Sequence, residues 1–331
     1  MTNPWDWYSD REVFEREQEA IFARAWQYVG HAGQVERPGD YFTARAGRIP
    51  VVVTHAEDGE LRALLNVCRH RGSLVAEGSG NRKTLQCPYH AWTYALDGSL
   101  RAAPRADFEL RECTLAPLRL ESWGPFLFVN ADADAEPLAE TLAEIPQQVE
   151  ELGLDVDSLV FHHRSEWSLE ANWKIVAENF LECYHCAVAH PSFTALVDVS
   201  PDAYRLELGR LHSTQIGPAR DGERRSQFHF VWPNTGINMF PGESNFSIGP
   251  FVPASPGRTD RFLDYFFGPD VGDRWIAELL ELDDTVGRED TTLVERVQVG
   301  VASRALPQGR LLADAEQLVA HFQRLVRNAI S

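Results

Sequence analysis

The stretch Glu178–Pro191 reads Glu-Asn-Phe-Leu-Glu-Cys-Tyr-His-Cys-Ala-Val-Ala-His-Pro, and the rest of the sequence is interpreted outward from it. Glu182, His185 and His190 fall close together here, at a density of potential ligands that is typical of a metal site. The residues just before them contain no Gly or Pro, so we expect Glu182 and His185, three positions apart, to lie on one face of a helix. Pro191 disfavours the helical conformation at His190. We therefore expect His190 to turn back from the end of that helix.

Two imidazoles and one carboxylate from elsewhere in the chain form the ligand set of a non-haem Fe(II) site, which keeps coordination positions open for O2 and substrate. Asp290 is the candidate carboxylate. It stands at helical spacing before four apolar residues: Leu293, Val294, Val297 and Val301. This spacing places Asp290 on the apolar face of its helix, where a carboxylate costs free energy unless it binds a cation. The sequence thus predicts iron at His185, His190 and Asp290, whereas Asp283, Asp284 and Glu289 should face water.

A second set of potential ligands comprises Cys68-Arg69-His70 and, further along, Cys87-Pro88-Tyr89-His90. Each half follows a short predicted strand, as expected of two loops that face one another. Zinc is one possibility, but finger-type sites pair Cys with Cys and His with His, whereas each loop here supplies one of each. The mixed pairing favours a Rieske [2Fe–2S] centre, in which one iron takes both cysteines and the other takes both histidines. The cluster ligands are therefore predicted to be Cys68, His70, Cys87 and His90.

Two other conspicuous motifs are interpreted as structural. Cys183-x-x-Cys186 has the spacing of a redox or zinc motif, but it has no second pair, so both residues are expected to be buried thiols. Cys113 is interpreted as a lone thiol. His162 and His163 are adjacent in a predicted strand, where neighbouring side chains point to opposite faces, so they should not share a metal.

The pattern of secondary structure divides the chain into three segments. Ser9 and Glu12 have capping-box spacing at the start of an amphipathic helix predicted over residues 10–28. Short strand-like runs follow from Asp40, with Asp58-Gly59 and Asp97-Gly98 as turn signals, which predicts an all-β module. We expect an N-terminal helical segment at 1–34, the β module at 35–131 and a larger domain at 132–331. The larger domain should contain a surface helix at 138–152, interrupted by Pro146, and a closing helix at 311–330.

Composition limits the classes of function. The chain has 331 residues, five cysteines and a formal net charge of −18 at pH 7. This charge argues against nucleic acid or an anionic membrane as a partner. The sequence shows neither a signal-peptide pattern nor an apolar run of membrane-spanning length, so we expect a cytoplasmic protein. In that reducing compartment, five cysteines favour metal ligation or burial over a disulfide framework.

The order and spacing of the two ligand sets, with Asn172-Trp173-Lys174 between them, resemble the α-subunit of Rieske non-haem iron oxygenases. The resemblance covers nearly the whole chain. It implies an α+β protein with an N-terminal all-β Rieske [2Fe-2S] domain and a C-terminal catalytic domain, in which helices flank a twisted antiparallel sheet. It also implies a head-to-tail homotrimer, in which the cluster of one subunit lies beside the mononuclear Fe(II) of its neighbour.

Within this resemblance, Glu182 matches the position that bridges the mononuclear site to a Rieske histidine, here His90 of the adjacent subunit. Most of the family has Asp at this position, whereas relatives that act on quaternary ammonium compounds such as carnitine and glycine betaine have Glu. The resemblance therefore favours a terminal oxygenase that hydroxylates a C–H beside nitrogen, which leads to N-dealkylation. The alternative enzyme is a ring-hydroxylating dioxygenase acting on an aromatic acid. A Rieske electron carrier is disfavoured, because a carrier needs neither the C-terminal domain nor its ligands.

Oxygen activation requires two external electrons per turnover. The sequence shows no flavin or nicotinamide fingerprint, so we expect a separate NAD(P)H-dependent reductase, with or without a ferredoxin, in addition to O2 and a small-molecule substrate. Aromatic side chains could hold a methylated ammonium group by cation–π attraction. The aromatic residues available for this in the predicted catalytic sheet are Trp232, Phe240, Phe246 and Tyr265.

Overall fold

The computed structural model describes residues 2–222 and 225–331. The chain forms two compact units, of which the first comprises Phe22–Leu138. The second joins the first 21 residues to the C-terminal part of the chain, Ala139–Ser331. The domain boundaries predicted at residues 34 and 131 stay predictions, because a spatial unit and a sequence domain need not end at the same residue. Among the described residues, no helix is both long enough and apolar enough to cross a membrane.

The unit Phe22–Leu138 is built from short antiparallel strands. Its strands are β1 Gln27–His31, β2 Asp40–Ala46, β3 Ile49–His55, β4 Leu61–Leu65, β5 Ser79–Asn81, β6 Thr84–Gln86, β7 Thr93–Ala95, β8 Leu100–Ala102, β9 Pro117–Trp123 and β10 Phe126–Asn130. One sheet has the order β1-β10-β9-β4-β3-β2-β5, and a smaller sheet has the order β6-β7-β8. This agrees with the all-β module predicted from the sequence.

The strand β3 shows how the sequence forms this sheet. Val51 and Val53 are buried on one face, in a cluster with Phe42. Val52 points to the other face and packs in a second cluster, which contains the thiols of Cys68 and Cys87. This alternation follows from the two-residue period of a strand. The two cysteines of the predicted cluster are therefore anchored in a hydrophobic core.

The N-terminal helix is shorter than predicted. Helix α1 spans Arg11–Glu17, a π-helical turn follows at Gln18–Phe22, and the chain is extended again in β1. The N-cap is Asp10, whose side chain accepts hydrogen bonds from the backbone N–H groups of Glu12 and Val13. The predicted capping box at Ser9 is therefore wrong, because the next residue already supplies a carboxylate in capping position.

The second unit contains a large antiparallel sheet. Its strands are β11 Val160–Leu169, β12 Arg205–Leu208, β13 His212–Pro218, β14 Arg225–Val231, β15 Thr235–Met239, β16 Asn245–Ser255 and β17 Arg258–Phe267, in the order β11-β17-β16-β15-β14-β13-β12. The helices that follow α1 are α2 Leu138–Leu142, α3 Ile145–Glu151, α4 Trp173–Phe180, α5 Cys186–Ala189, α6 Pro191–Leu196, α7 Asp273–Ala302 and α8 Gln317–Ile330. The predicted helix at 138–152 is thus two helices, and the closing helix begins at Gln317 rather than near residue 311.

Helix α4 leads directly into the predicted iron site and is fixed at its start by a buried ion pair. Lys174 Nζ lies 2.6 Å from Oε1 of Glu17, and both side chains are fully buried. The indole N–H of Trp173 donates to the other oxygen of Glu17. Removing one partner of such a pair costs about 3–5 kcal/mol, because the other charge is left uncompensated. The pair therefore fixes the position of α4 relative to α1.

Candidate functional site

The loops that carry the predicted cluster ligands have the same backbone geometry. Cys68 follows β4, Cys87 follows β6, and four residues after each cysteine comes a residue with positive φ. These are Gly72, with φ of 74°, and Ala91, with φ of 58°. The N–H of Gly72 donates to the carbonyl of Cys68 at 3.0 Å, and the N–H of Ala91 donates to that of Cys87 at 3.1 Å. The first loop thus requires a positive φ at Gly72, and glycine adopts this conformation without a steric penalty.

The two loops bring the four predicted ligands together. The Cys68 and Cys87 side chains are buried in the core and hydrogen-bond to each other. The rings of His70 and His90 are exposed, and their Nδ1 atoms lie 3.2 Å apart. The His70 ring also stacks on Trp92, with centroids 4.9 Å apart. Two buried sulfurs and two outward imidazole nitrogens match the donor set that a Rieske cluster requires.

Hydrogen-bond donors surround the sulfur atoms, and the sequence could not locate these donors. Burial by itself would raise the pKa of the Cys87 thiol, but the backbone N–H groups of Tyr89 and His90 hydrogen-bond to it and lower that pKa. The hydroxyl oxygen of Tyr94 lies 3.3 Å from Sγ of Cys68. Burial, and then this contact, raise the pKa of Tyr94. Donors of this kind stabilise thiolate ligands, so the residues present fit the cluster.

The predicted iron ligands lie on a turn rather than on one long helix. Helix α4 ends at Phe180, so the expectation that Glu182 and His185 share a helical face is wrong. The Glu182 carboxylate instead accepts the backbone N–H groups of Tyr184, at 2.6 Å, and His185, at 3.2 Å. The carboxylate thereby provides an acceptor for two backbone N–H groups that come just before the first residue of α5. His190 lies between α5 and α6 with φ of −122° and ψ of 71°, so it turns back as predicted.

His185, His190 and Asp290 converge on one point. Nε2 of His185 lies 3.0 Å from Nε2 of His190, and Oδ1 of Asp290 lies 3.1 Å from the latter nitrogen and 3.4 Å from the former. Within residues 2–222 and 225–331, this is the one group of three or more potential ligands that is compact enough to hold a metal ion. Two imidazoles and a carboxylate with an open side match a non-haem Fe(II) site.

The second nitrogen of each imidazole faces a carboxylate. Nδ1 of His185 lies 2.5 Å from Oε1 of Glu182, and Nδ1 of His190 lies 2.8 Å from Oε2 of Glu289. Such partners set the tautomer and orientation of metal-bound histidines. The prediction that Glu289 faces water is therefore wrong. Helix α7 places Glu289 and Asp290 next to each other, so that they contact opposite nitrogens of the same ring.

The charge of this group favours a cation. Burial alone would lower the pKa of His185, but hydrogen bonds to Asp290 and Glu182 raise it to about 9. Burial alone would raise the pKa of Asp290, but hydrogen bonds from His185 and His190 lower it to about 2. The three carboxylates of Glu182, Glu289 and Asp290 surround two imidazoles, so neutral imidazoles leave an excess of negative charge. A divalent cation would offset this charge, and the residues fit Fe(II).

The apolar face predicted for α7 is only partly correct. Val294 and Val301 are buried, but Val297 is 48% exposed. The buried position between them is Gln298, whose Oε1 accepts the backbone N–H of Asn172 at 2.8 Å. Gln298, which has a hydrogen-bond partner, thus occupies the buried position that the sequence pattern assigned to Val297. Asp290 nevertheless faces inward, as predicted.

A cavity of about 890 Å³ adjoins the three converging ligands. Aromatic side chains form much of its wall: Trp167, Phe180, Phe193, Phe228, Phe240 and Tyr265. Of the four aromatic residues suggested by the sequence, Phe240 and Tyr265 line this cavity. Trp232 instead packs against Phe322, and Phe246 lies in the core with 1% exposure.

Acidic groups also line the cavity. Asp283 was expected to face water, but it points inward and accepts a hydrogen bond from the hydroxyl of Tyr265. Burial raises the pKa of Asp283. Asp284 does face outward, because its side chain is 66% exposed and pairs with Arg288 at 3.0 Å. No sequence pattern connects Tyr265 to α7, so the inward position of Asp283 could not be predicted from the sequence.

Two motifs interpreted as structural differ from expectation. Cys183 and Cys186 form a disulfide, so the prediction of two buried thiols is wrong. The turn that carries His185 brings their Cα atoms within 4.9 Å, which suits a disulfide. A β-bulge between Phe161 and His163 brings the Nδ1 atoms of His162 and His163 within 2.9 Å, so the two rings meet instead of pointing apart. Cys113 is a free thiol, as predicted.

The family model described as ring hydroxylating alpha subunit (catalytic domain) matches residues 156–331. The model of the Rieske [2Fe-2S] domain matches residues 25–114. The chain belongs to the Rieske ring-hydroxylating oxygenase α-subunit family. Members of this family are oxidoreductases that use a Rieske cluster and a mononuclear iron, so the predicted enzyme class, fold class and cofactors are confirmed.

Relatives of this Rieske oxygenase extend over nearly the whole chain. The carnitine monooxygenase oxygenase subunit of Acinetobacter pittii (strain PHEA-2) is 35% identical over 98% of this chain and 94% of its own length. The chloroplastic choline monooxygenase of Beta vulgaris is 32% identical over 97% of this chain and 75% of its own length. A solved quaternary ammonium Rieske monooxygenase, reported with insights into carnitine oxidation and inter-subunit electron transfer, is 31% identical with a TM-score of 0.90, over 100% of this chain and 95% of its own.

Proposed function

We propose that this Rieske oxygenase is the terminal component of a system that hydroxylates a quaternary ammonium compound at a carbon beside nitrogen. The observation that carries the proposal is the convergence of His185, His190 and Asp290 at a cavity with both aromatic and acidic walls. The aromatic faces would attract a methylated ammonium group, and carboxylates such as Asp283 would add to that attraction. The two named relatives and the solved structure, which act on carnitine or choline by their names, support the same substrate class.

Two separate sets of residues would hold the two metal centres. Cys68, His70, Cys87 and His90 would hold the cluster, and His185, His190 and Asp290 would hold the iron ion. When bound, the cluster supplies single electrons and the iron supplies oxygen activation.

The carboxylates behind the iron histidines would fix the ligand set. With Nδ1–H of His185 donated to Glu182 and Nδ1–H of His190 donated to Glu289, each Nε2 keeps its lone pair for the metal. The cavity walls would place the methyl groups of the substrate next to these nitrogens and exclude water from them. Hydroxylation beside nitrogen gives a carbinolamine, which separates into an amine and an aldehyde.

The proposal includes the predicted partners. Electrons would come from a separate NAD(P)H-dependent reductase, with or without a ferredoxin, and the subunits would assemble as a homotrimer in the cytoplasm. In the trimer, Glu182 would link His185 of one subunit to His90 of the next. The hydrogen bond between Glu182 and Nδ1 of His185 supports this role from one side. The solved relative reported with inter-subunit electron transfer supports an assembly of more than one subunit.

Substrate-dependent O2 consumption tests the proposal. The purified oxygenase, with about three iron atoms per chain, is supplied with a compatible reductase and assayed against trimethylammonium compounds and aromatic acids. We expect consumption with a trimethylammonium compound, accompanied by an equimolar aldehyde. Formation of a cis-diol from an aromatic acid, with no turnover of any ammonium compound, would establish the ring-hydroxylating alternative instead.

A further inference from the structure

The wall of the cavity contains an arginine whose Nε atom has no hydrogen-bond partner in the part of the chain that the structure describes. Arg261, on β17, lines the cavity, and its Nε atom is buried without a hydrogen-bond partner among the described residues. In residues 2–222 and 225–331, its side chain has no carboxylate within ion-pair distance. The opposite face of the same two strands is different, because Arg164 donates two hydrogen bonds to Asp264, at 2.6 Å and 2.7 Å.

Two aromatic rings hold the guanidinium group in place. Arg261 Cζ lies 5.2 Å from the centroid of the Trp167 ring and 4.4 Å from that of Phe251. The three residues form one row across the sheet, because Arg261 pairs with Trp167 on β11 and with Phe251 on β16. Ring faces attract a cation but accept none of its N–H groups in the usual way. The side chain is therefore positioned in advance, with its donors unused.

The nearby acids are already engaged. Asp283 and Asp290 attract Arg261 electrostatically, but Asp283 accepts the hydroxyl of Tyr265 and Asp290 contacts both iron histidines. A cation largely removed from water without hydrogen-bonded partners costs free energy. A ligand with an anionic group would offset this cost. The planar fork of arginine matches a carboxylate in particular, since it can donate two parallel hydrogen bonds.

We propose that Arg261 binds a carboxylate of the substrate, and that the substrate is therefore a betaine rather than a quaternary ammonium alcohol, which has no anionic group. The assignment of an ammonium group to this substrate rests on the proposed function. A cationic group cannot take the place beside Arg261, because like charges repel, so the trimethylammonium group lies toward the acidic and aromatic walls. The cavity thus distinguishes the two ends of the substrate by charge.

The test uses four ligands that vary the two charged groups independently. Trimethylammonioacetate has both charges and choline has only the ammonium group. The corresponding carbon compounds, 3,3-dimethylbutanoate and 3,3-dimethylbutan-1-ol, replace nitrogen by carbon and so have only the carboxylate or neither. Binding to the metal-loaded enzyme is measured by calorimetry, without reductase, for the wild type and for Arg261→Gln and Arg261→Lys. Arg274→Gln serves as the matched control, because the Arg274 side chain is 92% exposed, pairs with Glu278 and lies outside the cavity.

We expect Arg261→Gln to weaken binding of the two carboxylates by about 10–100-fold, as expected for a lost charge-assisted hydrogen bond, and to change binding of the two alcohols less than about twofold. Arg261→Lys should give an intermediate loss, and Arg274→Gln should bind all four ligands like the wild type.

Equal weakening of carboxylates and alcohols in Arg261→Gln would show a structural role and overturn the inference, as would unchanged binding of the carboxylates. So would a wild type that binds neither carboxylate more tightly than its alcohol. Arg261-dependent binding of 3,3-dimethylbutanoate without any binding of the ammonium compounds would support the carboxylate site while contradicting the proposed function.

Discussion

Oε2 of Glu289 lies 2.8 Å from Nδ1 of His190, while Oδ1 of the adjacent Asp290 lies 3.1 Å from Nε2 of the same ring. Two consecutive acids of α7 therefore contact the two nitrogens of one imidazole. This arrangement gives them different roles: Asp290 faces the point where the predicted ligands converge, and Glu289 stands behind the ring. The order of the two residues along the helix thus determines which one is the candidate ligand.

We expect Glu289→Gln to weaken Fe(II) binding by about 10–100-fold, because it removes the charge that orients His190 and favours its Nδ1–H tautomer. Iron is titrated into metal-depleted protein and measured after equilibrium dialysis. Glu278→Gln is the control, since Glu278 is an exposed acid on the same helix and lies outside the cavity. Equal iron affinity in the Glu289 variant and the control would contradict the role assigned to Glu289.

Asp290→Ala should abolish product formation and reduce the iron content from about three to about two atoms per chain. The visible spectrum of the cluster should stay the same, because Cys68, His70, Cys87 and His90 belong to the other compact unit. Glu278→Ala, at an exposed acid of the same helix outside the cavity, should keep activity and all three iron atoms. Retention of the third iron atom in Asp290→Ala would move the carboxylate ligand elsewhere.

Glu182→Gln should leave both metal centres loaded but slow the oxidation of the reduced cluster by O2 in the presence of substrate. The amide nearly preserves the shape of the side chain and removes its charge, so a large loss of rate reports the link between centres rather than a collapsed turn. Single-turnover absorbance measures this rate. A trimeric Glu182→Gln protein that transfers electrons at the wild-type rate, or an isolated monomer with full activity, would exclude the link.

Tyr94→Phe should lower the reduction potential of the cluster by tens of millivolts, on the order expected for one lost hydrogen bond to a sulfur ligand. The Tyr94 hydroxyl contacts Sγ of Cys68, and such a contact stabilises the more negative, reduced form. Redox titration followed by EPR gives the potential. Tyr89→Phe is the control, because the Tyr89 side chain is 56% exposed. The prediction fails if both variants have the potential of the wild type.

Glu178→Gln should change how stability depends on pH. Burial raises the pKa of Glu178 to about 7, against the opposing effect of hydrogen bonds from Tyr8 and Gln323. The pKa in the unfolded chain is about 4.3. Between these values the folded protein binds a proton that the unfolded chain releases, so the wild type loses stability as pH rises, by up to about 3 kcal/mol. Glutamine cannot ionise and keeps the acceptor oxygen.

The measurement is the midpoint of urea unfolding from pH 5 to pH 8 for both proteins. The urea midpoint of the variant should rise relative to that of the wild type as the pH rises. The difference between the two midpoints should level off above pH 7. Parallel curves for the two proteins would show that Glu178 is ionised throughout this range.

The sequence could predict what depends on residue type and local spacing. The mixed Cys and His loops after β4 and β6, the turn at His190 before Pro191 and the inward position of Asp290 all belong to this class. Each of these features is set by the chemistry of a few neighbouring residues, which is the information that a sequence contains. The convergence of His185, His190 and Asp290 is compatible with the predicted ligand set, whose metal binding stays a prediction.

Other features depend on contacts between distant parts of the chain. Asp283 turns inward because Tyr265, on a strand, donates to it, and Glu289 is engaged because His190 comes within reach of α7. The rings of His162 and His163 meet because pairing with β17 shifts at a bulge. Arg261 has no pattern that identifies it, since its significance lies in the hydrogen bonds that its neighbours already make elsewhere. Periodicity along one element contains none of this information.

The joining of the first 21 residues to the C-terminal part of the chain has a consequence for biosynthesis. The backbone N–H of Trp5 donates to the carbonyl of Pro307, and the N–H of Asn3 donates to the side chain of Gln323. Asn3 and Trp5 are therefore synthesised before the cysteine loops, but they find these partners only after Pro307 and Gln323 have been made. The cysteine loops at 68–90 do not depend on these later residues, because all of the unit that contains them has been synthesised once Leu138 has been added. On the ribosome, iron–sulfur assembly can thus precede completion of the mononuclear site.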